Sequence, residues 1–234
     1  MIYVFSFYKN TKMKSLFAGV FLFVFFASCS KDYKPRKLDN VYIKEFKIDS
    51  TSIRTLVAID SLTMYYAGSN GHIGFTNNGG ETWHTKQLKY QDSISPNFRS
   101  MAYNVNTNLF YALSIANPAL LYQYNFSDTH IVYEEKHPKV FYDSMKFFDA
   151  KHGIAMGDPT DGNCLSIILT NDGGNTWNKI PCEQIPKVED GEAAFAASNT
   201  NIKVLGNTVW IVTGGMKSRV FKSIDLGITW NVYE

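Results

Sequence analysis

Apolar residues in this chain come in short blocks, broken by clusters of Gly, Asn, Asp, Ser and Thr. Within a block they alternate with polar residues or run unbroken, and neither arrangement keeps a helical period. The blocks fall into sets of four. The first in each set is RTLVAID (54–60), RSMAYNV (99–105), DSMKFFD (143–149) and EAAFAAS (192–198). The second is MYYAGS (64–69), LFYALSI (109–115), GIAMGD (153–158) and VWIVTGG (209–215). The third is HIGFT (72–76), ALLYQY (119–124), CLSIILT (164–170) and RVFKS (219–223). The fourth is WHTKQL (83–88), IVYEEK (131–136), WNKIPC (177–182) and WNVYE (230–234). Four short strands, a to d, repeated about every 50 residues predict the antiparallel blades of a β-propeller, an all-β fold over residues 41–234. VYIKEFKID (41–49) reads as one more strand, in the place of a strand d that closes a ring. The sequence ends after a full fourth blade. The expectation is therefore a six- or seven-bladed propeller lacking its C-terminal part.

In three sets the third and fourth blocks are joined by a copied turn: TNNGGETW (76–83), TNDGGNTW (170–177) and SIDLGITW (223–230). Their starts lie 94 and 53 residues apart, so a drifted unit is expected near residue 124, where LLYQYNFSDTHIVYE (120–134) stands. Each copy reads as a c–d hairpin turn. Thr76, Asn78, Gly80 and Trp83 match Thr170, Asp172, Gly174 and Trp177, and these match Ser223, Asp225, Gly227 and Trp230. The Asp or Asn oxygen accepts N–H groups of the turn. The Gly supplies a backbone geometry closed to other residues. The Trp opens strand d and packs between blades. The turns resemble the Asp-box, or BNR repeat, whose known examples lie on the face away from catalytic sites. Cys164 and Cys182 flank the second turn symmetrically. A regular hairpin sets them opposite each other, and a disulfide and two buried thiols are equal alternatives at this stage.

The 234 residues are 45% hydrophobic and 15% aromatic, enough to bury a sizeable core. A net charge of +2 without a basic stripe argues against nucleic acid as a partner. The five His and three Cys show no metal-ligand spacing, and no Gly-rich phosphate loop follows a strand. No metal and no cofactor is expected. In a propeller the d–a and b–c loops share one face, and this chain gathers charge there. Arg54, Arg99, Asp143 and Glu192 open the four a strands. Asp158 and Asp161 sit in the third b–c loop, and Arg219 leaves the fourth. Opposed charges of this kind suit a protein or glycan ligand. Two of the carboxylates at a working separation would suit a glycosidase.

Lys12 and Lys14 precede SLFAGVFLFVFFAS (15–28), which has the length of a signal-peptide core rather than a bilayer span. Phe26-Ala27-Ser28-Cys29 resembles a bacterial lipobox, which implies loss of residues 1–28 and lipidation of Cys29. Met13-Lys14 followed by the apolar run is a complete signal in itself. Residues 29–40 then read as anchor and tether. The expected location is the cell envelope, outside the cytoplasm, at a membrane surface.

Residues 41–234 resemble the photosystem II stability/assembly factor-like family of Asp-box propellers, in the sialidase-like superfamily. The resemblance rests on GIAMGDPTDGNCLSIILTNDGGNTW (153–177), GEAAFAASN (191–199) and VWIVTGGMKSRVFKSIDLGITW (209–230). It implies seven blades and, in photosynthetic members, an arginine patch that contacts a client membrane protein. Arg54 and Arg99 match such a patch, while Asp143 and Glu192 depart from it. Other relatives carry oxidoreductase or glycosyl hydrolase labels, but nothing here supports a redox cofactor. Sialidase chemistry needs three arginines on one carboxylate and a Tyr–Glu nucleophile pair. This chain has four arginines, with Arg36 in the tether, and no Phe/Tyr-Arg-Ile-Pro motif. The expectation is a non-catalytic binding or assembly scaffold; the alternative is a glycoside hydrolase built on the carboxylates.

Overall fold

A computed structural model describes Pro35 and residues 42–160, 163–195 and 199–234. Cys29 and Asp161 lie outside the described residues, as does the signal segment. The chain divides into two compact units, Met1–Glu45 and Phe46–Glu234. In the first, Pro35 and Tyr42–Glu45 belong to no helix or strand. Among the described residues no helix is long and apolar enough to cross a membrane.

The second unit is built of four-stranded sheets. β1 (Ile53–Ala58), β2 (Met64–Gly68), β3 (His72–Thr76) and β4 (His84–Gln87) pair in chain order. So do β5 (Asn97–Asn104), β6 (Leu109–Ile115), β7 (Ala119–Tyr124) and β8 (Thr129–Glu135). The third sheet is β9 (Tyr142–Phe147), β10 (Gly153–Gly157), β11 (Ser166–Thr170) and β12 (Asn178–Lys179). In the fourth, a two-residue pair, β13 (Glu192–Ala193) with β16 (Gly214–Gly215), lies beside β14 (Ile202–Leu205), β15 (Thr208–Val212), β17 (Val220–Ser223) and β18 (Asn231–Tyr233). All pairings are antiparallel, and the first strands β1, β5, β9 and β14 are neighbours in that order. This is a β-propeller of four-stranded antiparallel blades, with the first strand of each blade innermost.

The middle strands show why the blades stack. Successive side chains of a strand point to opposite faces. In β6, Phe110 and Ala112 join the core between the first and second blades, while Tyr111 and Leu113 join the next one. In β10, Ala155 faces the second blade, and Ile154 and Met156 face the fourth. Each middle strand is apolar on both faces because it feeds two interfaces.

The copied turns have matching hydrogen bonds. Gly80, Gly174 and Gly227 donate their N–H groups to Thr76 Oγ1, Thr170 Oγ1 and Ser223 Oγ at 2.9, 3.0 and 2.9 Å. Asn78, Asp172 and Asp225 Oδ1 accept the N–H groups of Thr82, Thr176 and Thr229 at 3.0, 3.0 and 2.9 Å. Trp177 and Trp230 donate their indole N–H to Gly174 O and Gly227 O. Trp83 differs, since its buried indole N–H has no partner. The drifted turn of the second blade is shorter. Asn125 Oδ1 caps the N–H groups of Ser127 and Asp128, and Phe126, with a φ of 68°, packs on Tyr65 and Phe75. Cys164 and Cys182 form a disulfide with Cα atoms 5.7 Å apart, just beyond the ends of the β11–β12 hairpin.

Two expectations are corrected. Residues 42–48 form no strand, and Tyr42 and Ile43 are exposed. That segment is not the outer strand of the fourth blade, which has its own in β18, as its full set of four blocks predicts. Within the segment, Phe46 packs its ring against Gly80. The second correction concerns 192–198. Only Glu192 and Ala193 are strand; residues 196–198 lie outside the described residues, and the innermost strand of the fourth blade is β14.

Candidate functional site

Three inner strands break register at the same place. Ile53 pairs with Gly68 and Thr55 with Ala67, so Arg54 has no partner across the ladder. Phe98 pairs with Ser114 and Ser100 with Leu113, which leaves out Arg99. Tyr142 pairs with Gly157 and Ser144 with Met156, which leaves out Asp143. Each is a β-bulge, a device that turns one side chain out of the pleat's alternation. All three lie at the end of the inner strands away from the copied turns.

Their surroundings differ. Arg54 is exposed and Arg99 half-buried, whereas Asp143 is fully buried and neither carboxylate oxygen has a hydrogen-bond partner. Burial pushes the Asp143 carboxyl up to about 8; the charge of Asp158 adds to this, and the Arg99 guanidinium opposes it. Asp158, half-buried, is also raised by burial, although its Oδ1 accepts the Ala194 N–H at 2.9 Å. Arg99, Asp143 and Asp158 thus form one electrostatic group.

The fourth blade replaces the one-residue bulge with an excursion. Ala193 pairs with Gly214 and Ile202 with Ile211, so the chain leaves the ladder after Ala193 and rejoins it at Ile202. Glu192 lies just before it and is buried, with its carboxylate fully engaged. It accepts Arg219 Nε at 3.1 and 3.0 Å, Arg219 Nη2 at 2.6 Å, the Glu189 N–H at 2.8 Å and the Thr213 hydroxyl. Burial opposes the charge of Glu192, but the Arg219, Thr213 and Glu189 donors outweigh it and hold the carboxyl below its ordinary range. This ion pair ties the fourth b–c loop to the inner strand, so its charges are spent inside the protein.

Asn199, in left-handed backbone at a φ of 55°, carries the excursion across to two other blades. Its Oδ1 accepts Ser100 Oγ–H at 2.9 Å and the Met145 N–H at 3.1 Å, and its Nδ2 donates to Met101 O at 2.9 Å. On the same rim Glu135 accepts the hydroxyls of Tyr133 and Tyr142, each at 2.7 Å, and pairs with Lys179. Neither group was among the charges singled out from the sequence. An Asn at the end of an apolar run was the available signal for Asn199. A carboxylate and a tyrosine seven residues apart across a d–a loop was the signal for Glu135.

The structure therefore brings together Arg99, Asp143 and Asp158, and separately Glu192 and Arg219. Arg54 stands apart on the first blade. Among the described residues no three His, Cys, Asp or Glu side chains gather to hold a metal ion.

No protein-family model matches the chain, and no curated protein does. Among solved structures it is similar to the WD40 repeats of RRP9, at 13% identity and a TM-score of 0.54, over 80% of this chain and 52% of that one. It is similar to a GH74 enzyme of Niastella koreensis at 13% identity and a TM-score of 0.53, over 77% of this chain and 30% of that one. YCF48 bound to D1 peptide matches at 15% identity and a TM-score of 0.47, over 83% of this chain and 85% of that one. The chain thus spans about half of the RRP9 structure and under a third of the GH74 enzyme. What it shares with the RRP9 repeats and the GH74 enzyme is the β-propeller fold.

Proposed function

We propose that the chain is a lipid-anchored, extracytoplasmic binding scaffold that holds a protein partner on the face of the d–a and b–c loops, without catalysing a reaction. The observation that carries this is the repeated bulge. Three neighbouring blades each break register at one charged residue, Arg54, Arg99 or Asp143, at one rim, and the first two of these reach solvent. Exposed Arg54 offers a cation to an acidic segment of the partner, and half-buried Arg99 adds positive potential on the next blade. Glu192 and Arg219, already paired, shape the rim rather than bind. The test is capture from envelope membranes with the native chain and with an Arg54→Ala/Arg99→Ala variant. A partner whose affinity falls at least about tenfold in the variant supports the reading. A partner held equally well by both sinks it.

One observation favours a second reading, a glycoside hydrolase. Burial raises both Asp143 and Asp158, as a proton donor requires. Hydrolysis of aryl glycosides by the native chain, lost in Asp143→Asn, would favour this reading over the scaffold.

A further inference from the structure

The other end of the inner strands holds a cavity of ≈ 390 Å³, walled by Val57, Met101, Tyr103, Val105 and Phe147. That volume lies near the lower limit of ligand pockets, about 300 Å³. One charged residue lines it, Lys146 on β9. Lys146 is half-buried, and among the described residues its ammonium makes no hydrogen bond or ion pair. The charge that acts on it is another cation, Lys203 on β14. Burial, and then Lys203, draw its ammonium below the ordinary lysine range. Folding alone gains nothing from a cation so placed, since a desolvated charge without a partner is unfavourable. An incoming anion would supply the partner.

The walls narrow the choice of anion. Tyr103 donates its hydroxyl to Asn108 at 2.6 Å, and the side chains of the other walls just named carry no hydrogen-bond donor. A phosphate would bring several oxygens that need donors, and these walls offer few. A carboxylate needs one cation and lets the rest of the ligand be apolar.

We propose that this cavity binds a small carboxylate with an apolar body, its charge paired with Lys146 and its body against Met101, Tyr103 and Phe147. The site lies at the opposite end of the inner strands from the bulges and does not depend on the scaffold reading. The test uses the full chain and three probes with one body: hexanoate, hexanol and hexylamine, followed by NMR titration. Hexanoate is expected to bind at least about tenfold tighter than hexanol, with hexylamine weakest. Lys146→Met keeps the stem of the side chain and should bring hexanoate down to the level of hexanol; Lys146→Arg should keep the preference. The Met variant should also melt higher than the native chain, because it removes an uncompensated charge. Equal binding of hexanoate and hexanol by the native chain would overturn the proposal. So would a preference that survives Lys146→Met, or a Met variant that melts lower.

Discussion

Asp143 occupies a bulge, has no water contact and has no hydrogen-bond partner, so its state is decided by protons. Its folded pKa of about 8 stands above the ordinary 3.8. Between those values the folded protein holds a proton that the unfolded chain has released. Its contribution to stability is therefore fully present below about pH 4 and is lost as pH rises through about 8. Asp143→Asn imitates the protonated group at every pH. It should stabilise the fold by about 5 kcal/mol at pH 8 and change little at pH 4. Thermal melts across that range read the difference, and a gap that does not widen with pH would contradict the assignment. Asp158 is also raised by burial, and its charge is one of the causes that raise Asp143. Charge at a strand start was readable from the sequence. That Asp143 is sealed and Arg54 exposed was not, because both follow from how much of the next blade covers each bulge.

The copied turn is the element that made the fold legible. Its polar and glycine positions are dictated by local bonds, so they survive in the sequence as a repeat. Gly174 is fixed twice over: its φ is 97°, and a Cβ there would stand 2.5 Å from the Tyr111 ring. Gly206 has a φ of 56° and nothing within 4 Å of a Cβ. Gly174→Ala should cost at least about 2 kcal/mol in urea unfolding, against about 1 kcal/mol for Gly206→Ala. Similar losses would mean that backbone geometry alone, without Tyr111, explains the turn glycine. The third copy departs from the others, placing Leu226 at a φ of 65° where Gly79 and Gly173 stand. Where the turn changed its local bonds, as at Phe126, the repeat faded and only strand spacing located the second blade. The segment at 41–49 misled for a related reason. Its alternation is that of a strand, but a strand needs a free edge, and edges belong to the fold rather than to the segment.

At the scale of the whole unit, Asn199 is the residue that ties non-adjacent parts of the chain. From the fourth blade it bonds Ser100 and Met101 in the second and Met145 in the third. Asn199→Ala would leave the Met101 carbonyl and the Met145 N–H without these partners. The expected loss is about 2–3 kcal/mol, with faster hydrogen exchange at Met145 and none of that change at Ala67 in the first blade. Uniform acceleration across all blades would instead mean general loosening. Such a tie could not be read from spacing, since a chain that leaves a ladder after Ala193 and rejoins it at Ile202 obeys no period. The single-residue bulges have the opposite character. Their neighbours Phe98, Ser100, Tyr142 and Ser144 keep their pairing whether the residue between them is a guanidinium or a carboxylate. On the first two blades, where the bulged residue reaches solvent, the rim is therefore an editable inscription of one letter per blade. Its charge can be rewritten, by descent or by design, without solving the packing of the propeller again.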